Sequence, residues 1–224
     1  MAILDDLKRV PLFADLAEAE ISRFAEVTRE REYPRNSVIL FEDDPGDALY
    51  LVSHGQVKVV LIGEDGREVI LSVLSDGDFF GEMSLIDDEP RSAHVIAMKD
   101  SHLLVLRRDD FQAQVQQFPA IALKLLKVLV HRLRRADVKI GGLVLLDVNG
   151  RVARLLLDLA GEAGGPHITR KLTHHTIAQM IGSSRETVSR AMRELMDRRL
   201  IAVTRREITI QDRDGLAALA GDRA

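Results

Sequence analysis

The sequence predicts an α+β chain in three parts. Residues 1–110 should form an antiparallel β jelly roll, 111–146 one long helix, and 147–224 a helical module closed by a hairpin. Three observations carry this expectation. Between Tyr33 and Leu106, short runs rich in Val, Ile and Leu alternate with turn residues. From Phe111 to Leu146, two apolar series recur every seven residues: Leu126, Leu133, Ile140 and Leu129, Ala136, Leu143. Beyond Asp147, capping residues and a glycine break mark short helices followed by two β-like runs.

Bulk properties narrow the classes. A chain of 224 residues with 46% apolar and 29% charged residues can bury one large core or two smaller ones. No apolar run approaches the roughly 18 residues that a membrane helix needs, and Met1–Asp6 lacks a signal-peptide layout. A cytoplasmic address with no membrane partner is therefore expected. The absence of Cys excludes disulfides, thiol catalysis and cysteine-ligated iron–sulfur clusters. Charge is uneven: residues 148–224 hold 13 basic and 9 acidic side chains (+4), and the rest holds 18 and 26 (−8). A basic C-terminal part joined to an acidic N-terminal part suggests a polyanion partner for the former.

In chain order, Leu4–Arg29 reads as short helices. Pro11 interrupts the first, and Leu16, Ile21, Phe24 and Val27 give the second an apolar face. The strand-like runs are Ser37–Phe41, Ala48–His54, Gln56–Ile62, Glu68–Leu74, His94–Met98 and His102–Leu106. Turns such as Asp44-Pro45-Gly46-Asp47 and Asp76-Gly77-Asp78 separate them, a spacing that suits a jelly roll. In the long helix, the apolar series interleave in steps of three and four, the seam of a two-stranded coiled coil. Its 36 residues would span about 54 Å. Lys124, Lys127, Arg134, Arg135 and Lys139 leave the other faces solvated, so the helix reads as a dimer axis; the alternative is one helix of a monomeric core.

Asp147 can cap a helix through Arg151, Leu155 and Leu159, and Gly161–Pro166 reads as a loop. Thr173 can cap Ile177–Ile181, and Gly182 breaks the chain. Ser183 or Ser184 can cap a further helix to about Arg198. Leu200–Thr204 and Glu207–Gln211 flank a basic turn, Arg205-Arg206. Helix, tight turn, helix and hairpin in that order is a winged helix-turn-helix. The small Ala/Gly/Asp tail after Asp214 is the one low-complexity tract.

Two segments carry chemistry. In Gly81–Ala93, Gly81 permits close backbone approach, and Glu82–Ile86 can form a helical turn with amides facing an anion. Arg91 supplies a planar two-pronged donor for a phosphate at a surface-accessible pocket, and Ser92 a hydroxyl beside it. Glu82 suits a sugar hydroxyl, since it repels phosphate. The alternative is a turn carrying a surface Glu–Arg pair. At the start of the last long helix, Arg185, Glu186 and Arg190 can reach base edges in a major groove. Ser184, Thr187 and Thr173 suit phosphate contacts, as do Arg205 and Arg206 at the hairpin tip, with His174 and His175 as further polar candidates. Val188, Ala191, Met192 and Leu195 should face the core. Nucleophile–base constellations, metal-spaced clusters and a phosphate-binding glycine loop are missing, so no enzyme and no metal site is expected.

Gly81–Ala93, placed before a dimer helix and a winged helix-turn-helix, resembles the cyclic AMP receptor protein (catabolite activator)/fumarate-nitrate regulator family of bacterial transcription factors. The resemblance runs from about Leu4 to Ile210. It implies a cyclic-nucleotide-binding site comprising Gly81, Glu82, Met83, Ser84, Arg91, Ser92 and Ala93. There Glu82 would take the ribose 2′-hydroxyl, and Arg91 and Ser92 the cyclic phosphate. It also implies that the long helix presents Arg132 and Asp137 to the base, partly from the opposite subunit, that a TGTGA-like half-site is read, and that RNA polymerase is a partner. One departure stands out. Where the best-known cyclic AMP binders carry two hydroxyl residues, this chain has Ala136 and Asp137. An Asp137 carboxylate could accept from the adenine amino group or from N1–H and N2–H₂ of guanine, so cyclic AMP leads and cyclic GMP follows. Haem would need axial ligands, for which His54, His94 and His102 offer only their imidazoles.

Overall fold

The computed structural model describes residues 2–169, 172–204 and 207–221 of the chain. Helix α1 (Ala2–Arg9) stops at a 3-10 turn, Pro11–Phe13, because proline has no N–H to continue a helix. Helix α2 (Glu18–Val27) follows, and its Phe24 meets Phe13 with ring centroids 4.9 Å apart.

The chain then forms β1 (Arg29–Tyr33), β2 (Val38–Leu40), β3 (Ala48–His54), β4 (Gln56–Ile62), β5 (Glu68–Ser75) and β6 (Phe79–Phe80). A five-residue helix α3 (Met83–Asp87) intervenes before β7 (His94–Ala97) and β8 (Ser101–Arg107). The strands form two four-stranded antiparallel sheets, ordered β1-β8-β3-β6 and β2-β7-β4-β5. Val52, Val57, Val95 and Leu103 lie in one core of this roll, all at 3% exposure or less. The six expected runs all contain strands, and two strands were not expected. In β1, Arg29, Glu30, Arg31 and Glu32 are all exposed, so no apolar alternation marks it; pairing with β8 makes it a strand. Strand β6 is too short for any period to show.

The long helix departs from expectation. The stretch from Phe111 is divided between α4 (Arg108–Gln117) and α5 (Pro119–Leu145). Phe118 sits at φ −125°, ψ 76°, outside helical space. Pro119 forces this, since its ring disfavours α conformation in the residue before it. Helix α5 thus has 27 residues and a length of about 40 Å. Contacts divide the chain into two compact units, Met1–His131 and Arg132–Ala224, and α5 runs through the division.

In the second unit, Asp147 caps α6 (Val148–Ala163), accepting from the Gly150 N–H at 2.8 Å. The helix continues into the expected loop and ends at Gly164. A short strand β9 (His167–Ile168) precedes α7 (His174–Ile181) and α8 (Arg185–Asp197). Strands β10 (Ile201–Val203) and β11 (Ile208–Ile210) complete a three-stranded sheet ordered β10-β11-β9. In the alanine-rich tail, Asp212 caps α9 (Arg213–Leu219), whose Leu216 and following Ala220 are fully buried in the core built on α6. Burial of Leu216 overrides the low-complexity appearance. Leu216→Ala should destabilise the protein by about 2–5 kcal/mol, read as a lower urea midpoint; a change below about 0.5 kcal/mol would mean that α9 is not part of this core. Among the described residues, no helix is long and apolar enough to cross a membrane.

Candidate functional site

The segment after β6 folds back on the roll. Gly81 has φ +85°, and a Cβ there would lie 2.7 Å from Arg91 Nη1 and 3.0 Å from the Ala48 carbonyl oxygen. Only glycine leaves room for the guanidinium at this point. Glu82 and Ser84 are buried, at 3% and 2% exposure, whereas Met83 at 50% and Ser92 face outward. The Ser92 hydroxyl lies 3.7 Å from the Met83 sulfur. Ala93 is buried beneath them.

Arg91 is 3% exposed, which corrects the expectation of an accessible side chain. Its Nη1 donates to the Gly81 carbonyl at 2.8 Å and its Nη2 to that of Ala48 at 2.9 Å, while Asp47 Oδ1 stands 3.8 Å away. The guanidinium also lies 5.9 Å from the ring of Tyr50, which stacks on Phe80. Burial pulls the Arg91 pKa below its ordinary value, and Tyr50 and Asp47 oppose that shift. Burial likewise raises the Tyr50 phenol. The guanidinium stays charged all the same. Arg91 Nε is buried without a hydrogen-bond partner. A spare donor on a buried cation, beside a glycine that leaves no Cβ in the way, suits an anionic oxygen such as a cyclic phosphate.

Sequence reasoning missed the groups around Arg91. Gly46 was read as turn chemistry alone, yet a Cβ there would fall 2.1 Å from Ser84 Cβ and 3.3 Å from Arg91 Cζ. Asp47, Tyr50 and Arg108 likewise sit far from Arg91 in sequence, and no local pattern marks them. Arg132, half-buried, and Asp137, exposed, lie on α5 in the second unit.

The second unit carries the other candidate surface. Thr173 caps α7, its Oγ1 accepting from the Thr176 N–H at 3.0 Å, and Gly182 closes that helix in the left-handed region. Ser184 caps α8 in the same way, accepting from Thr187 N–H at 3.1 Å. Val188, Ala191, Met192 and Leu195 are buried as expected, which turns Arg185, Glu186 and Arg190 to the exposed side. Arg190 Nη2 donates to Thr187 Oγ1 at 3.4 Å. His174 is half-buried and His175 exposed at the start of α7. Arg205 and Arg206 lie outside the described residues; Thr204 N–H donates to Glu207 O at 2.9 Å.

Along α5, Leu126, Leu133 and Ile140 are 56%, 62% and 59% exposed, and Leu143 is 47% exposed. These four members of the two heptad series are apolar and exposed in the single chain, whereas Leu129 is half-buried against the core of the first unit.

Comparison with known proteins follows the same division. A cyclic nucleotide-binding domain matches residues 30–118, and a Crp-like helix-turn-helix domain matches residues 150–219. The CRP-like cAMP-activated global transcriptional regulator of Mycobacterium tuberculosis is 33% identical over 219 residues, 96% of this chain and 98% of that protein. The chain belongs to the CRP/FNR family of transcription regulators. The cyclic AMP receptor protein of Thermus thermophilus, from the same family, is 38% identical over 85% of this chain and 88% of its own length. The solved structure of FixK2 from Bradyrhizobium japonicum overlays with a TM-score of 0.77 at 26% identity, covering 88% of this chain and 98% of that one. CRP/FNR proteins are regulators and not enzymes, and both parts of that task are present here: a cyclic nucleotide-binding domain and a DNA-binding helix-turn-helix.

Proposed function

We propose that this regulator is a cytoplasmic homodimer that binds cyclic AMP and thereby controls its affinity for a palindromic, TGTGA-like DNA site, acting with RNA polymerase. In this reading residues 1–110 hold the nucleotide, 111–146 form the dimer connection and 147–224 read DNA. The observation that carries it is the buried Arg91 guanidinium with an unused Nε beside Gly81, in a domain of cyclic nucleotide-binding type. Arg91 and Ser92 would hold the cyclic phosphate and Glu82 the ribose 2′-hydroxyl, framed by Gly81, Met83, Ser84 and Ala93. Arg132 and Asp137 would approach the base. Cyclic AMP is favoured because the Mycobacterium tuberculosis and Thermus thermophilus relatives are named for it. The exposed carboxylate of Asp137 also suits guanine, so calorimetric titrations with cyclic AMP and cyclic GMP should run in parallel, each repeated with a palindromic duplex. Tighter binding of cyclic GMP would replace the ligand. Equal DNA affinity with and without either nucleotide would replace the regulatory scheme with ligand-independent binding.

For the DNA side, Arg185 at the start of α8 should contact a guanine edge. Arg185→Ala should cost about 1–3 kcal/mol and relax preference at one base pair per half-site. Arg206→Ala should instead weaken all duplexes alike and flatten the salt dependence by about one counterion per subunit, as loss of a phosphate contact does. A panel of single-base duplex variants at several salt concentrations separates the two. Altered base preference in Arg206→Ala with none in Arg185→Ala would reverse the assignments.

A further inference from the structure

Arg108 opens α4 and joins three separate pieces of the first unit. Its backbone N–H donates to the Asp47 carbonyl at 2.8 Å. Its Nη2 donates to the carbonyls of Gly46 and Ser84, both at 2.6 Å, and its Nη1 pairs with the Asp88 carboxylate. Asp88 is the left-handed residue that ends α3. One turn along α4, Gln112 Nε2 donates to the Leu85 carbonyl at 3.5 Å. The first turn of α4 is thus tied to the 46–47 loop and to α3 together.

Those two pieces are also the ones Arg91 joins. The Arg91 backbone exchanges hydrogen bonds with residues 43 and 44: its N–H donates to Asp44 O, and its carbonyl accepts from Asp43 N–H, both at 2.9 Å. The Arg91 side chain reaches Gly81 O, just before α3, and Ala48 O, just after the loop. Loop and α3 touch directly, since a Cβ on Gly46 would overlap Ser84. A ligand oxygen that meets the spare Arg91 Nε pulls on a guanidinium bound to both carbonyls, so loop and α3 shift together. Arg108 then carries the displacement into α4, which leads through Phe118 to α5. An arginine is suited to this task because its planar fork can serve two carbonyls and a carboxylate at once; a lysine ammonium cannot span them in that geometry.

We infer that Arg108 is a positioning residue that couples the Arg91 pocket to α4, and so to the helix that leads to the DNA-binding unit. The inference rests on the nucleotide-pocket reading above. It assigns Arg108 no contact with the ligand.

The test is the ratio of duplex affinity with saturating cyclic AMP or cyclic GMP to that without it, measured by fluorescence anisotropy on wild type, Arg108→Ala and Arg108→Lys, alongside calorimetric nucleotide affinity and thermal melts. Arg108→Ala should bring the ratio down at least tenfold. Arg108→Lys, which keeps the charge opposite Asp88, should recover only part of it and stay at least threefold below wild type; it also serves if the alanine variant does not fold. A merely structural role would weaken duplex binding equally in both states and leave the ratio unchanged. A ratio within twofold of wild type in both variants therefore overturns the coupling role while leaving the pocket reading in place. Wild-type protein that binds neither nucleotide overturns the pocket reading, and this role with it.

Discussion

Arg91→Leu is expected to abolish measurable cyclic-nucleotide binding. The substitution removes the buried cation that the proposed phosphate would meet, and losing one partner of a buried, hydrogen-bonded charge pair costs about 2–5 kcal/mol. It also strips donors from the Gly81 and Ala48 carbonyls, each an acceptor whose loss of a partner costs about 1–3 kcal/mol when buried. From sequence alone, an accessible Arg91 could be replaced without harm to the fold; at 3% exposure it cannot, and the melting temperature should fall as well. Calorimetry and thermal denaturation of Arg91→Leu and Arg91→Lys separate the two effects. Lysine keeps the charge but not the paired donors, so it should bind weakly rather than not at all. Affinity of Arg91→Leu within about 1 kcal/mol of wild type, less than one charge-assisted hydrogen bond contributes, would remove Arg91 from the phosphate site.

Leu133→Asp should convert the proposed dimer to monomers. Leu133 is 62% exposed in the single chain, and Leu126 and Ile140 one heptad away on either side are exposed to a similar degree. Each leucine buried in a coiled-coil seam contributes about 1.5–3 kcal/mol, and twofold symmetry doubles the effect of any change. Two facing carboxylates would replace that gain with a desolvation cost of several kcal/mol per ion. Sedimentation velocity should show a single species near the 25.0 kDa chain mass, and affinity for a palindromic duplex should fall with it. A persistent dimer at micromolar concentration would move the interface away from α5.

Local signals were read well where the physics is local. Strands β3 and β4 coincide residue for residue with the expected runs, because a short run rich in Val, Ile and Leu between turn residues is written in adjacent residues. The caps at Asp147, Thr173 and Ser184 are equally local, each a side-chain oxygen accepting an N–H three residues ahead. The break before Pro119 was also local and was overridden by the heptad pattern beyond it. A proline at the first position of a helix is compatible with everything that follows, so the pattern in α5 survives the break.

By itself, then, the sequence determined six strands of the roll, the capped helix-turn-helix, the apolar seam of α5 and the Gly81–Ala93 segment with its arginine. Periods of two, 3.6 and seven residues and single capping side chains need no distant partner. Tertiary structure alone decided the rest. Strand β1 exists because β8 offers its edge, and α9 is held because Leu216 packs into the core built on α6. Arg91 is buried because residues 46–48 and 81–84 close around it, and Arg108 joins the same walls from a helix that begins 17 positions further on. A long-range contact depends on which surfaces the folded chain brings together, and no run of adjacent residues encodes that meeting.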